Sequence, residues 1–192
     1  FMIFLLTSLT LADDTVLFEA GSFDRGSGVA PDESPRHPVQ LDSFRLDKSE
    51  VSITQFEEFV KAGWREDEFW SEEGLEWRSK HPQGAGSDNR SAGRKDGHPV
   101  VAVSWYEADA YCRWKGGSLP TEAQWERAAC PEEGRFAWGD SEDVEAAWYS
   151  GGKYGHLQTV LTKQADQAPA EQLTKDGLYH STGNVWEWTA DW

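Results

Sequence analysis

The density of tryptophan near the C-terminal end constrains the fold of this chain more than any other feature. Trp186, Trp188 and Trp192 fall within seven residues, and the chain of 192 residues has 11 tryptophans in all. Each indole supplies a large apolar surface and one N–H group that needs an acceptor when it is buried. This composition predicts a loop-rich fold anchored by indole rings, and an aromatic ligand groove is the alternative.

The net charge argues against one class of partner. Lys and Arg number 18 against 34 Asp and Glu, which gives a formal charge of −16. An acidic surface of this kind repels phosphate backbones, so we expect no nucleic-acid partner. The length suits a single domain with a sizeable core.

The first twelve residues form an apolar run that is too short to span a bilayer. The run ends in Thr10-Leu-Ala12 before two aspartates, and small residues at this place are typical of a signal-peptidase site. We therefore predict a partial signal peptide at residues 1–12, a domain at residues 13–192, no membrane span, and export to the periplasm or the extracellular space. A buried first strand is the alternative interpretation.

Three runs match the capping box, in which Ser or Thr is followed three residues later by Glu or Gln. Apolar residues at helical spacing follow each run, so the pattern predicts three short helices. The runs are Thr54–Glu57, Ser104–Glu107 and Thr121–Gln124.

The remaining elements are predicted from alternation and from turn residues. A strand is expected over 16–23, and a second over 39–46 with a break at residues 42–43. A further helix is expected within 67–77, with a turn at Gly74. A short apolar strand is expected over 99–103, and residues 131–175 show no regular periodicity.

Cys112 and Cys130 are the two cysteines of the chain. In an exported protein they could pair with each other, pair with partners elsewhere, or stay free. Cys112 lies among the apolar positions of a predicted helix, where a buried thiol acts as a small hydrophobic group. Neither cysteine has a basic neighbour in sequence that would make it a reactive thiolate.

The run Gly183-Asn-Val-Trp-Glu-Trp188 mixes aromatic and polar positions. If it is extended, alternation places Trp186 and Trp188 on the core side together with Asn184. Val185 and Glu187 then point to the opposite side.

Four segments together resemble the sulfatase-modifying factor family, whose type member is the formylglycine-generating enzyme. Their order and spacing are similar to the family throughout residues 17–192. The resemblance implies an α+β fold with little regular secondary structure, related to the C-type lectin fold. The segments are Ser49-Glu-Val-Ser-Ile-Thr-Gln-Phe56, His98–Trp114, Ser118-Leu-Pro-Thr-Glu-Ala-Gln-Trp-Glu-Arg-Ala-Ala129 and Gly177–Trp188.

The resemblance also implies a function. Family enzymes use copper and oxygen to oxidise a cysteine of a sulfatase to formylglycine, and their copper-binding cysteines lie beyond the tryptophan-rich motif. We therefore expect residues 13–192 to be a domain incomplete at its C-terminus, with copper bound only in the part that follows. No catalytic residue is assigned here, and whether the protein is an enzyme stays open.

Two alternatives to the sulfatase-modifying oxidoreductase belong to other functional classes. The first is a non-catalytic, lectin-like binding module on the same scaffold, with a protein or peptide as its partner. The second is an iron enzyme that acts on small thiols, which would need a histidine-rich helical domain upstream.

Calcium is the metal that the last motif predicts. Backbone carbonyls and a carboxylate form the hard oxygen set that suits calcium. The resemblance implies that the positions of Gly183, Val185 and Glu187 bind a structural calcium ion. The further ligand of the family, usually Asn or Asp, falls at His180, and neutral imidazole is a poor calcium ligand. The alternative for Glu187 is a carboxylate that accepts bonds from nearby backbone amides.

Overall fold

The computed structural model describes residues 6–7, 14–27, 31–84, 97–130, 174, 176–181 and 183–191. Short strands and short helices alternate there with irregular connections, which confirms the predicted α+β class. The strands are β1 (Leu6–Thr7), β2 (Thr15–Phe18), β3 (Gly21–Arg25), β4 (His37–Leu41), β5 (Phe44–Asp47) and β6 (Gly117–Ser118). The helices are α1 (Ile53–Ala62), α2 (Glu72–Lys80), α3 (Trp105–Trp114) and α4 (Glu122–Ala129).

The described strands form two antiparallel sheets. The larger has the strand order β2-β5-β1-β6, and β3 pairs with β4 in the smaller one. The single strand predicted over 16–23 is therefore wrong, because residues 19–20 separate two strands that belong to different sheets. The predicted break at residues 42–43 is confirmed between β4 and β5. Residues 131–173 lie outside the described part of the chain.

β1 falls within the predicted signal peptide. Leu6 pairs with both Leu46 and Ser118, so β1 lies between β5 and β6. This pairing agrees with the alternative of a first strand, and the signal peptide stays a prediction. In the described part of the chain, no helix has the length and apolar character that crossing a bilayer requires.

Three of the four α-helices in the described part of the chain begin with a complete capping box. The boxes predicted at Ser104 and Thr121 are confirmed. In them the side chains of Glu107 and Gln124 accept from the backbone N–H of the capping residue. The box predicted at Thr54 is wrong in register, because Ser52 is the cap of α1. The Ser52 hydroxyl accepts from the Gln55 N–H, and the Gln55 side chain accepts from the Ser52 N–H. The helix therefore begins with Ile53, which it buries together with Phe56 and Phe59.

α2 differs from its prediction at both ends. Ser71 caps it by accepting from the backbone N–H of Gly74 at 3.0 Å, so Gly74 lies in the first turn of the helix instead of ending it. The helix then continues to Lys80. Of the strand predicted over 99–103, only a single β-bridge between Ser52 and Pro99 is present. Among the described residues, no strand pairs with the rest of this segment.

The main core is built around aromatic side chains of α1, of α3 and of the segment between α1 and α2. Phe59 is fully buried, and its ring contacts those of Trp64, Trp70, Tyr111 and Trp114. Contacts of this kind add specific geometry to the burial of apolar surface. The C-terminal residues Val185, Trp188 and Ala190 pack against the same core.

Candidate metal centre

The C-terminal motif follows a backbone path that sequence alternation does not predict. His180 and Asn184 adopt left-handed conformations with φ of 55° and 57°, and Gly183 has φ of 95°. Asn tolerates the left-handed region better than most side chains because of its short polar group. These conformations change the direction of the backbone at residues 180, 183 and 184, so successive side chains do not alternate between two faces.

The predicted sidedness of the motif is therefore wrong in part. Trp188 packs against the core and Asn184 is buried, as predicted, but 79% of Trp186 is exposed. Val185 packs against the core, opposite to the prediction. The Glu187 carboxylate also points inward, because its Oε1 is buried.

Glu187 is the carboxylate of the predicted calcium site. Its Oε2 accepts a hydrogen bond from the indole Nε1–H of Trp125 on α4. Its Oε1 is buried and has no hydrogen-bond partner. The alternative interpretation, in which backbone amides donate to this carboxylate, is therefore not observed among the described residues.

Glu50 is a second carboxylate at this place, and sequence analysis did not single it out. It lies between β5 and α1 and is 0% exposed. The Nδ2–H of Asn184 donates to its Oε2 at 2.6 Å, while its Oε1 is buried without a partner. The only sequence signal is its place in Ser49–Phe56, one of the segments that carry the family resemblance.

The electrostatics of both carboxylates follow from burial. Burial raises the pKa of Glu187 to about 8, and the bond from Trp125 acts in the opposite direction. Burial also raises the pKa of Glu50 well above its ordinary value. The negative charge of Glu187 raises the pKa of Glu50 further, while the Asn184 bond lowers it.

The donors at this centre are hard oxygen atoms. The carboxylates of Glu50 and Glu187 each hold one bare oxygen, and the backbone of Gly183 and Val185 has carbonyls close to Glu187 in sequence. No three His, Cys, Asp or Glu side chains group together as metal ligands among the described residues. Carboxylates with carbonyls suit calcium, whereas nitrogen and sulfur donors select transition metals. The residues present therefore fit calcium.

The two cysteines are both free thiols. Cys112 is fully buried on α3, and burial raises the pKa of its thiol well above the ordinary value. Cys130 is exposed at the end of α4. A disulfide between Cys112 and Cys130, which was one of the three alternatives, is therefore not formed.

A surface groove of about 640 Å³ lies between the ends of α1 and α2. Apolar side chains, two arginines and two other polar side chains line it. They are Val60, Trp64, Arg65, Arg78, Ser79, Pro82 and Gln83.

A family model described as "Sulfatase-modifying factor enzyme 1-like domain" matches residues 7–192 of the sequence. This chain belongs to the sulfatase-modifying factor family. The match begins within the predicted signal peptide, at a residue of β1. The predicted calcium ligands Gly183, Val185 and Glu187 all lie within the matched range.

Curated relatives within the sulfatase-modifying factor family include formylglycine-generating enzymes. The chain is 36% identical to the enzyme of Streptomyces coelicolor, over 87% of this chain and 64% of the relative. It is 33% identical to the enzyme of Mus musculus, over 83% of this chain and 52% of the relative. A hercynine oxygenase of Mycobacterium tuberculosis is 33% identical, over 82% of this chain and 40% of its own length. The chain thus spans less than two thirds of these three relatives.

A solved structure, PvdO from Pseudomonas aeruginosa, has the same fold as this member of the family. The two match with a TM-score of 0.65 and 24% identity, over 92% of this chain and 70% of that chain. The likeness confirms the predicted fold class.

Proposed function

We propose that this protein is an oxidoreductase of the formylglycine-generating type, which oxidises a cysteine of a sulfatase to formylglycine. The observation that supports the proposal most is the 36% identity to the Streptomyces coelicolor enzyme across 87% of this chain. Within residues 1–192, the described part supplies the scaffold and the buried carboxylates of Glu50 and Glu187.

Copper would supply the oxygen chemistry in such an enzyme, and the described cysteines do not fit it. A copper thiolate site needs two cysteines close together and open to the substrate. Cys112 is enclosed in the core, whereas Cys130 is exposed at the end of α4. We therefore assign no catalytic role to either and expect the copper ligands at cysteines encoded beyond Trp192.

The test begins by reading the gene past the codon for Trp192. Two nearby cysteines downstream would support the copper oxidase. The full-length, copper-loaded protein is then incubated with a peptide that carries a sulfatase cysteine, and mass spectrometry follows the loss of sulfur and the gain of an aldehyde. Serine variants of the downstream cysteines are the control and should form no aldehyde. A continuation without such a cysteine pair would overturn the proposal.

We further propose that the carbonyls of Gly183 and Val185 and the carboxylate of Glu187 hold a structural calcium ion. The bare, buried Oε1 of Glu187 supports this site. In the full-length protein, EDTA should lower the melting temperature and added calcium should restore it. Glu187→Gln should abolish the difference. If EDTA leaves the wild-type melting temperature unchanged, Glu187 only accepts the bond from Trp125.

A lectin-like binding module is the second candidate function, and the groove at Trp64, Arg65 and Arg78 favours it. Its volume falls in the range of ligand sites, and the Arg65 guanidinium beside an indole suits an anionic partner. Arg78 is already paired with Asp67 and donates to the Trp64 carbonyl. A full-length protein that forms no aldehyde but binds an acidic peptide through Arg65 would support this function.

Export is proposed from the apolar run at residues 1–12. Mass spectrometry of the N-terminus of the protein recovered from the periplasm or the medium tests it. Cleavage after Ala12 would support the signal peptide. A mature protein that retains Leu6 and Thr7 would instead show that β1 belongs to the folded domain.

A further inference from the structure

The groove between the ends of α1 and α2 differs in charge from the chain as a whole. The sequence carries 34 acidic residues against 18 basic ones. Among the described residues that line the groove, two are arginines and none bears a carboxylate. Its volume of about 640 Å³ lies in the range of ligand sites. A concave surface with this local charge is complementary to an anionic ligand.

We propose that this groove binds a short acidic segment of a partner protein, with a carboxylate of the partner on Arg65 and an apolar side chain against Trp64. The inference rests on the binding function proposed above as the second candidate, and it names the residues and the chemistry of recognition. It does not depend on cysteine oxidation, since a binding module and an enzyme can both use a docking groove.

Trp64 forms a fixed apolar surface in the groove. Its carbonyl accepts from the Nε1–H of Trp70 at 3.1 Å and from Nη1 of Arg78 at 2.7 Å. The centroid of its ring lies 6.0 Å from that of Phe59 and 5.0 Å from that of Trp70. These contacts hold Trp64 before a ligand arrives, so little side-chain freedom is lost when an apolar group packs against it.

Arg78 supports this surface and is not the anion site itself. Its guanidinium is paired with the carboxylate of Asp67 and lies over the ring of Trp70, 5.2 Å from the centroid. Together with its bond to the Trp64 carbonyl, these contacts join the segment after α1 to α2. Because Asp67 balances the charge of Arg78, a carboxylate of the ligand needs another cation.

Arg65 is that cation. It is exposed and forms no ion pair with any described residue. Glu66 and Asp67 follow it in sequence but are not among the described lining residues. The net charge of −16 repels an acidic ligand, but salt at about 0.15 M screens this repulsion beyond about 8 Å. The nearest charge therefore decides the binding, and a guanidinium can hold a carboxylate through two parallel hydrogen bonds.

A peptide matches the other lining groups. Val60 and Pro82 are apolar like Trp64, while Ser79 and Gln83 can donate and accept hydrogen bonds. Neighbouring side chains of an extended peptide point in opposite directions, so acidic and apolar residues can reach different parts of a groove. The peptide backbone supplies partners for the hydroxyl and the amide. An acidic saccharide offers hydroxyl groups in place of apolar side chains and matches this lining less well.

The test measures the affinity of the full-length protein for a fluorescein-labelled peptide by fluorescence anisotropy, at about 0.15 M salt. Glutamate alternates with phenylalanine in this peptide, and a second peptide carries glutamine in place of each glutamate. We expect the glutamate peptide to bind about tenfold more tightly, because charge-assisted hydrogen bonds are the stronger kind. Arg65→Gln should weaken binding of the glutamate peptide by a similar factor and leave that of the glutamine peptide unchanged.

Lys61→Gln is the matched control. Lys61 lies on α1, is paired with Glu57, and is not among the described lining residues. The variant therefore removes one positive charge close by in sequence and leaves the proposed contact intact. It should bind the glutamate peptide with wild-type affinity. Lys61 and Arg65 are both exposed, so neither substitution alters the buried core.

Equal affinities for the two peptides, wild-type affinity in Arg65→Gln, or failure to bind either peptide would overturn the proposal. Binding of a polygalacturonate oligosaccharide but of neither peptide would also overturn it, and would make the groove a saccharide site. Aldehyde formation is measured separately. An active oxidase that does not bind the acidic peptide would overturn the docking groove alone, whereas an active oxidase that binds it through Arg65 would overturn only the non-catalytic module.

Discussion

Asp47 is the last residue of β5 and is half-buried. Burial raises the pKa of its carboxyl group to about 7, with Lys115 opposing the shift and Asp14 adding to it. The ordinary value is 3.8, so the folded state binds this proton more tightly than the unfolded state. The free energy of folding that this protonated carboxyl group contributes is therefore complete below pH 3.8 and is lost as the pH rises through about 7.

We expect Asp47→Asn to become more stable relative to wild type as the pH rises from about 4 to about 7, because the amide cannot ionise. Thermal unfolding at several pH values measures the difference. Asp42→Asn, in the exposed turn before β5, is the control and should show no such trend. A difference between Asp47→Asn and wild type that stays constant over this range would contradict the expectation.

At the scale of single residues, sequence analysis identified Glu187 but not Glu50. Glu187 belongs to a local motif that carries its own signal. Glu50 is reached through Asn184, which lies 134 residues further along the chain, and no spacing rule joins positions so far apart. The exposure of Trp186 escaped prediction for another reason, since alternation applies only to extended backbone and Asn184 is left-handed.

At the scale of elements, the helix starts were the most predictable features because capping is local. Two boxes were predicted at the right residue. For α1 both Ser52 and Thr54 have Gln or Glu three residues later, and the sequence pattern alone does not choose between them. In the structure Ser52 is the cap of α1, and the helix then buries Ile53 together with Phe56. The separation of β2 from β3 was not predictable, because it depends on which distant strands they pair with.

A pair of substitutions tests the register of α1. Ser52→Ala removes the hydroxyl that accepts from the Gln55 N–H and should lower the free energy of unfolding by about 1 kcal/mol. Thr54 lies inside the helix at an exposed position, where alanine is the better helix former. Thr54→Ala should therefore leave the free energy of unfolding unchanged or raise it slightly. Denaturant unfolding of both variants gives the comparison. A larger loss for Thr54→Ala than for Ser52→Ala would show that the cap lies at Thr54.

At the scale of the whole molecule, the C-terminal motif joins distant segments through indole groups. The Nε1–H of Trp105 donates to the Thr189 carbonyl at 2.8 Å. The Nε1–H of Trp188 donates to the Val103 carbonyl at 3.1 Å. The start of α3 and the end of the described chain are thus tied in both directions. The composition predicted a fold anchored by indoles, but the sheet order and these particular partners depend on the complete packing.

Trp188→Phe tests this tie. It leaves the carbonyl of the buried residue Val103 without its donor, and we expect a loss of about 1–3 kcal/mol in the free energy of unfolding. Trp77→Phe is the control, because the indole N–H of Trp77 has no hydrogen bond within the described residues while its ring is stacked on His81. Equal losses in the two variants would mean that ring size alone decides the effect.

The bond between Asn184 and Glu50 also bears on how long the folded state lasts. Closing a loop of 134 residues costs chain entropy, and contacts between such distant positions are slow to form. We therefore expect this bond to form after the folding transition state. Interactions absent from that state slow unfolding without accelerating folding. The bond between Asn184 and Glu50 should therefore slow unfolding, which lengthens the lifetime of the native protein.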